Sequence, residues 1–282
     1  MTRRRSPGRT FIRGLMRNAT GVASALFIAF LVVVALFGPL LYAGDPLAIS
    51  DNPMLRPGGG HLLGTDDLGR DVLAELIYGV RVSLFVGCVA AFAATVIGTL
   101  IGAIAGYVGG WVDTAIMRIA EFFQVMPTFI LAVVIVALLG PGLLRVVAVI
   151  ALLSWPQTAR VARGEVLRVS RLDFVNGVRC LGVTEWRILF GEILPNAVGP
   201  VLALGTLIVG YAILLEASLS FLGLSSPDVV SWGRILGVGQ RFLFSAWWLS
   251  VFPGLAIFST VLAFNLLGDA LGDILNPRRA QA

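Results

Sequence analysis

The sequence predicts an all-α integral membrane protein with six transmembrane helices. Of the 282 residues, 57% are hydrophobic and 13% are charged, whereas about a quarter of the residues in soluble domains are charged. A membrane-spanning helix needs about 20 apolar residues. Six stretches contain no Asp, Glu, Arg or Lys, and we interpret each as a span: 18–44, 82–112, 122–144, 146–159, 193–215 and 242–268.

The fourth stretch, 146–159, is short for a membrane span. Arg145 and Arg160 flank it, and we expect both side chains to extend the span by reaching towards the membrane surface. The distribution of arginines also supports a helix here. With six spans, the arginines of 1–17, 160–187 and 278–279 all fall on one side of the membrane, whereas five spans would separate them.

All 21 basic residues are arginine. Positive residues concentrate on the cytoplasmic side of membrane proteins, so we expect a multi-pass membrane protein with both termini in the cytoplasm. The same rule explains the net charge of +5 without a nucleic-acid partner.

The composition also excludes several kinds of chemistry. Without lysine the chain has no P-loop, so any ATP hydrolysis must occur in another chain. His61 is the only histidine, and the two cysteines, Cys88 and Cys180, form no recognisable metal or disulfide motif. We therefore predict no catalytic residue, no metal site and no cofactor in this chain, which is not expected to be an enzyme.

Small residues recur every four positions in the second span, at Ala94, Gly98, Gly102 and Gly106. This spacing lets two helix backbones approach closely. We favour static packing over a mobile contact.

Two further features concern the pathway or helix packing. Arg118 and Glu121 are three residues apart, so they are expected to pair on one helix face, and Pro127 is expected to kink the third span. Glu216 lies near the end of the fifth span, where it faces either a water-filled path or a neighbouring helix.

The polar segment 160–196 is predicted to contain two amphipathic helices. Asp173 is the expected N-cap of the first, Phe174, Val178 and Leu181 its apolar stripe, and Gly182 its end. The apolar face has three possible partners: the lipid interface, the protein itself or a groove on another protein. The short helix bounded at both ends favours the groove.

The second helix is expected to begin at Thr184, its N-cap, with Glu185 in the first turn. Pro195 is expected to end it. The predicted apolar stripe consists of Trp186, Leu189, Phe190 and Ile193.

The same segment resembles the signature loop of the membrane subunits of ABC importers. That loop has a Glu-Ala-Ala triplet, a glycine six residues after the Glu, and a later Leu-Pro. Here Asn176-Gly177-Val178 occupies the triplet, Gly182 the glycine, and Leu194-Pro195 the end. The glycine and proline match, and the triplet does not.

Three further stretches are similar to the permeases that import dipeptides, oligopeptides and nickel. They are "HLLGTDDLGRDVLAELIYGVRVSL" (61–84), "RVARGEVLRV" (160–169) and "EASLSFLGLSSPDVVSWGRIL" (216–236). The first resembles an extracytoplasmic segment of those permeases. For its Asp66, Asp67 and Asp71 we favour turn capping over calcium binding, because their spacing differs from that of an EF-hand.

The resemblance implies a type I ABC-importer permease fold in the bacterial inner membrane, with a cytoplasmic coupling-helix loop. It also implies a second permease, two cytoplasmic P-loop ATPases that bind ATP and Mg²⁺, and an extracytoplasmic substrate-binding protein. This chain would form half of the pathway and couple to an ATPase through residues 173–182. Peptides are the first choice of substrate and nickel the second. An ATP-independent secondary transporter is the alternative from another class, and the residues that bind substrate are unassigned.

The predicted organisation has four parts. A cytoplasmic basic N-terminus (1–20) precedes the first span and the extracytoplasmic segment (21–80). The permease core (81–272) holds five spans and the coupling loop (160–196), and a cytoplasmic tail (273–282) follows.

Overall fold

The computed structural model describes residues 16, 18–42, 45–58, 60–226 and 228–275. Most of the predicted N-terminus (1–20) and tail (273–282) therefore lies outside the described residues. Within them, the α-helices are α1 (Ala19–Leu41), α2 (Val72–Val108), α3 (Gly110–Val125), α4 (Thr128–Leu139), α5 (Leu143–Ser170), α6 (Asp173–Cys180), α7 (Glu185–Ile188), α8 (Leu194–Phe221), α9 (Trp232–Gly239) and α10 (Trp248–Leu275).

The predicted all-helical membrane fold is confirmed. Five helical stretches are long and apolar enough to cross a membrane: α1, α2, α5, α10 and the continuous stretch Glu185–Phe221 that contains α7 and α8. Helices α3 and α4 meet the same criteria only as a pair, and they are bent by 89° relative to each other. Counted as one broken span, this pair corresponds to the third of the six predicted spans.

The break between α3 and α4 is the predicted effect of Pro127. Met126, which precedes it, has extended dihedral angles (φ −77°, ψ 139°), because a proline ring disfavours helical geometry in the preceding residue. Pro127 itself occupies the N-cap position of α4. The expected kink is thus a complete interruption of the helix.

The fourth span differs from its prediction, because α5 continues to Ser170. Arg160 therefore lies within the helix and does not mark its end. Arg163 makes two bonds to Asp113, with Nε–Oδ1 and Nη2–Oδ2 distances of 2.5 Å each. This bidentate pair neutralises one of the charges that follow Arg160 in the helix.

The small-residue stripe of α2 packs directly on α5, which is the close helix contact that its spacing predicts. A Cβ atom added at Gly102 would lie 2.2 Å from the carbonyl oxygen of Ala159, and one at Gly98 would lie 2.6 Å from that of Trp155. A Cβ atom added at Gly106 would lie 2.8 Å from the carbonyl oxygen of Arg163. The two helices therefore touch backbone to backbone along several turns.

The remaining spans surround this pair. Helix α8 packs on α2, α5 and α10, and α1 packs at the periphery on α2 and α10. The Oδ1 atom of Asn18 accepts from the backbone N–H of Gly21 and caps the start of α1. Large apolar side chains on α1, such as Phe30 and Leu40, remain exposed, as expected for a helix that faces lipid.

Segment 45–71 connects α1 to α2 through tight turns. The Oδ1 atom of Asp66 accepts from the backbone N–H groups of Leu68 (2.8 Å) and Arg70 (2.7 Å). Asp71 is the N-cap of α2 and accepts from the N–H of Leu73 at 2.8 Å. The predicted turn-capping role is therefore confirmed for these two aspartates.

Asp71 also fastens the segment to the end of α1. The Tyr42 hydroxyl donates a hydrogen bond to Oδ2 of Asp71, and Nδ1 of His61 lies 3.1 Å from the same oxygen. Burial raises the pKa of Asp71, but the contacts with Tyr42 and His61 outweigh it, so the pKa lies below its usual value. The hydrogen bond to Asp71 and burial together raise the pKa of Tyr42 to about 12.

The close contact of α2 and α5 makes Gly102 intolerant of a side chain. Because the new Cβ would overlap Ala159, we expect Gly102→Ala to lower the free energy of unfolding by about 1–3 kcal/mol. Thermal unfolding in detergent measures the change. In the control Gly164→Ala the new Cβ meets nothing within 4 Å, so stability should be kept or slightly increased. Equal melting temperatures for the two variants would contradict the contact.

Candidate functional site

The short helix α6 lies at the end of the bundle where α2 and α5 terminate. Val175, at its centre, is completely buried. It belongs to an apolar cluster with Val166 and Val169 of α5 and Ile188 of α7. The other buried members are Ala103 of α2, Leu189 and Ile193 between α7 and α8, and Ala197 of α8. Segments distant in sequence therefore anchor a helix of eight residues.

Of the two predicted boundaries of α6, only the C-terminal one is confirmed. The expected N-cap role of Asp173 is wrong, because Leu172 occupies the N-cap position and Asp173 is the first helical residue. Gly182 follows the C-cap with φ +76°, and its N–H bonds to the carbonyl of Arg179 at 3.0 Å. Only glycine adopts this left-handed conformation without strain, so Gly182 ends the helix as predicted.

The predicted apolar stripe of α6 is wrong in part. Phe174 and Leu181 point away from the bundle and are 41% and 82% exposed, whereas Val175 is buried. Val178 is half-buried against the cluster. Asn176 and Gly177 are exposed, so the outward face combines polar positions with large apolar side chains.

A polar cluster ties α6 to the end of α2 and to α7. Nε of Arg179 donates to Oε1 of Glu185 at 3.0 Å, and Nη2 donates to Oε2 at 3.2 Å. The Tyr107 hydroxyl, near the end of α2, donates to Oε2 of the same carboxylate. We call Tyr107, Arg179 and Glu185 the polar clamp.

The second predicted helix runs without interruption into the fifth span. A π-helical turn, Leu189–Ile193, joins α7 to α8, so Pro195 lies in the first turn of α8 and does not end a helix. The N–H of Leu194 bonds to the carbonyl of Leu189, five residues earlier. This wider turn directly precedes the proline and accommodates its ring.

The predicted stripe of this second helix is divided between two faces. Leu189 and Ile193 are buried, and Leu194 packs beside them. Trp186 and Phe190 are exposed and stack on each other with ring centroids 6.2 Å apart. Thr184 occupies the N-cap position as predicted, but its side chain makes no capping hydrogen bond.

Glu216 makes a contact between helices. It is fully buried in α8, where Oε1 accepts from the Ser220 hydroxyl at 2.6 Å. Oε2 lies 3.5 Å from the hydroxyl of Ser83 on α2. Of the two interpretations left open by the sequence, this geometry supports the contact with a neighbouring helix.

The predicted pair of Arg118 and Glu121 is confirmed, with Nη1 and Oε2 3.1 Å apart. The arginine is 78% exposed and the glutamate 49%. The pair therefore lies on the surface of α3 and takes no part in the contacts around α6.

Sequence reasoning missed Val175 and the polar clamp. The opposite charges of Arg179 and Glu185 on either side of the helix-ending Gly182 were a signal for the clamp. Tyr107 had no such signal, since 72 residues separate it from Arg179.

Comparison with known families agrees with this architecture. Residues 98–281 match the family described as binding-protein-dependent transport system inner membrane component. Residues 6–57 match the N-terminal TM domain of oligopeptide transport permease C.

Two relatives match almost the whole chain. The glutathione transport system permease protein GsiD of Pectobacterium atrosepticum is 39% identical over 277 residues, or 97% of this chain and 92% of that protein. The dipeptide transport system permease protein DppC of Alkalihalophilus pseudofirmus is 37% identical over 275 residues, or 97% of this chain and 90% of that protein.

A solved structure has a similar fold. The MetNI methionine ABC transporter, in inward-facing conformations, aligns with a TM-score of 0.59 and 20% identity over 72% of this chain and 97% of that one. The chain therefore belongs to the family of binding-protein-dependent transport system inner membrane components, and it is a multi-pass permease subunit of the ABC-importer type.

Proposed function

We propose that this chain forms half of the translocation pathway of an ATP-driven peptide importer. A second permease completes the pathway, two P-loop ATPases bind ATP and Mg²⁺, and an extracytoplasmic binding protein delivers the substrate. The relatives described above are named for glutathione and dipeptides, which favours peptides over nickel. The family assignment likewise favours this function over an ATP-independent secondary transporter.

The observation that carries the proposal is the outward face of α6. Leu172, Phe174 and Leu181 are 42%, 41% and 82% exposed, whereas Val175 on the opposite face of the helix is completely buried. An exposed apolar patch on a rigid support is typical of a protein-binding surface. We assign this patch to the groove of an ATPase.

The arginines support a cytoplasmic position for this surface. Arg168, Arg171, Arg179 and Arg187 lie in or beside the segment that carries α6, and positive residues favour the cytoplasmic side. Segment 45–71 lies at the opposite end of α2, and we assign it to the extracytoplasmic side, where the binding protein docks.

Coupling requires that a movement of the ATPase reaches the pathway. The apolar cluster around Val175 and the polar clamp fix α6 to α2, α5 and α7. From Glu185 the helical stretch continues to Phe221 and includes the buried Glu216. A displacement of α6 therefore moves these spans, and the two permeases alternate between outward- and inward-facing states.

A charge on the outward face of α6 should break the contact with the ATPase. We expect Phe174→Glu to weaken binding of the ATPase by about tenfold or more, since anchor residues at interfaces contribute strongly. Affinity of the purified ATPase for the permease pair in detergent measures the effect. The matched control is Phe244→Glu, at a fully exposed position that we assign to the other side of the membrane. Equal affinity for both variants would contradict the docking surface.

Removal of the polar clamp should uncouple ATP hydrolysis from transport. In Arg179→Ala the ATPase still binds, but α6 moves partly independently of α2. We expect the peptide transported per ATP hydrolysed to fall roughly two- to fivefold in proteoliposomes, because an exposed clamp supplies only part of the attachment. The control is Arg187→Ala, since Arg187 makes no hydrogen bond or ion pair within the described residues. An unchanged ratio in Arg179→Ala would show that the clamp has no role in coupling.

A further inference from the structure

A cavity of about 370 Å³ lies at the break between α3 and α4. Residues of α5 and α8 complete its wall. Ligand cavities in proteins have volumes of about 300–1,000 Å³, so the cavity has room for a short peptide segment. Its polar lining consists of Gln124, Thr128, Ser154, Gln157, Arg160 and Tyr211.

These polar groups extend from the middle of the membrane-spanning part of α5 towards its cytoplasmic end. Ser154 and Arg160 lie roughly 16 Å and 25 Å along α5 from its start, by the rise of an α-helix. Polar side chains that line a cavity within the bundle meet water or a bound group there, because hydrocarbon does not solvate them.

The hydroxyl of Ser154 has no partner of its own. Ser154 is only 5% exposed, and its Oγ makes no hydrogen bond within the described residues. Ser218 and Ser259, also in membrane-spanning helices, instead donate to the carbonyl four residues earlier, at 2.7 Å each. The lining of the cavity thus presents a buried hydroxyl for a group from outside the chain.

Arg160 is also free to bind a group from outside. Among the other arginines of α5, Arg163 pairs with Asp113 and Arg168 pairs with Glu165. The guanidinium of Arg160 makes no hydrogen bond or ion pair within the described residues.

The first turn of α4 adds to the positive potential of the cavity. Thr128 begins the helix, and no side chain caps its N-terminus. The free N–H groups of a helix N-terminus attract anions. Since the lining includes no carboxylate, Arg160 and the start of α4 together favour an anionic ligand.

We propose that this cavity is a binding site in the translocation pathway for the C-terminal carboxylate of the transported peptide. Arg160 and the first turn of α4 bind the carboxylate, while Ser154, Gln124 and Gln157 hydrogen-bond the peptide backbone. This inference rests on the proposed peptide import and adds to it a site within the permease. It also predicts a preference for peptides with a free C-terminus.

A thiol introduced into the cavity tests the electrostatic potential of the cavity. Ser154→Cys is made in a background with Cys88 and Cys180 replaced by alanine, and the complete importer is reconstituted in proteoliposomes. We measure the reaction rates with a sulfonate-bearing and a trimethylammonium-bearing methanethiosulfonate, each relative to a small free thiol. We expect the anionic reagent to react about tenfold faster, since local charge concentrates counter-ions in a cleft.

Arg160 variants identify the source of this preference. Arg160→Gln should remove most of it, whereas Arg160→Lys, which keeps the charge, should retain it. Thermal unfolding of each variant checks that the fold is intact. An unreactive thiol or equal rates for the two reagents would overturn the assignment of an anion site, and a full preference in Arg160→Gln would overturn the role of Arg160 in it.

Protection of the introduced thiol by added peptides tests whether the bound anion is a C-terminal carboxylate. A mixture of alanine di- to pentapeptides should slow labelling of the introduced thiol, and the same peptides with amidated C-termini should not. Protection by neither mixture, or by both equally, would overturn the carboxylate site. Peptide uptake by the wild-type importer is measured in parallel. Absent uptake would refute the proposed function, whereas wild-type KM values in Arg160→Gln would refute the site alone.

Discussion

The apolar cluster around Val175 is the contact on which the functional architecture depends. A helix of eight residues is too short to be stable in water by itself, so α6 owes its existence to this cluster. Its partners come from α2, α5 and α7, which means that the helix and the bundle form one packed unit. The outward face of α6, with Phe174 and Leu181, is thereby held in a fixed orientation.

Two other features of the bundle complement this rigid attachment. Along α2 and α5 the backbones touch at Gly98 and Gly102, which leaves no space for independent movement of the two helices. Between α3 and α4 the chain is interrupted at Pro127, and the cavity beside this break is lined by the Ser154 hydroxyl and the Arg160 guanidinium, which have no partner within the described residues. We infer that the first feature transmits movement, and we propose the second as the place for the substrate.

The sequence predicted features that depend on neighbouring residues and missed those that depend on distant ones. The spans, the break at Pro127 and the helix end at Gly182 follow from local composition and backbone chemistry. The length of α5 could not be predicted in this way, because the charge of Arg163 is neutralised by Asp113, which lies fifty residues away. Likewise, the burial of Val175 in place of Phe174 is decided by residues of three other helices. Sequence also could not show that Arg160, unlike Arg163 and Arg168, has no partner among the residues that the structure describes.

The central claim is that α6 moves together with the bundle during the ATP cycle. Spin labels at Asn176 on α6 and Val108 at the end of α2, both exposed, test it by pulsed electron paramagnetic resonance in a cysteine-free background of the complete importer. The account predicts the same mean interspin distance in the nucleotide-free and the vanadate-trapped states. A shift of that distance between the two states would show that α6 moves separately from the bundle and would contradict the account.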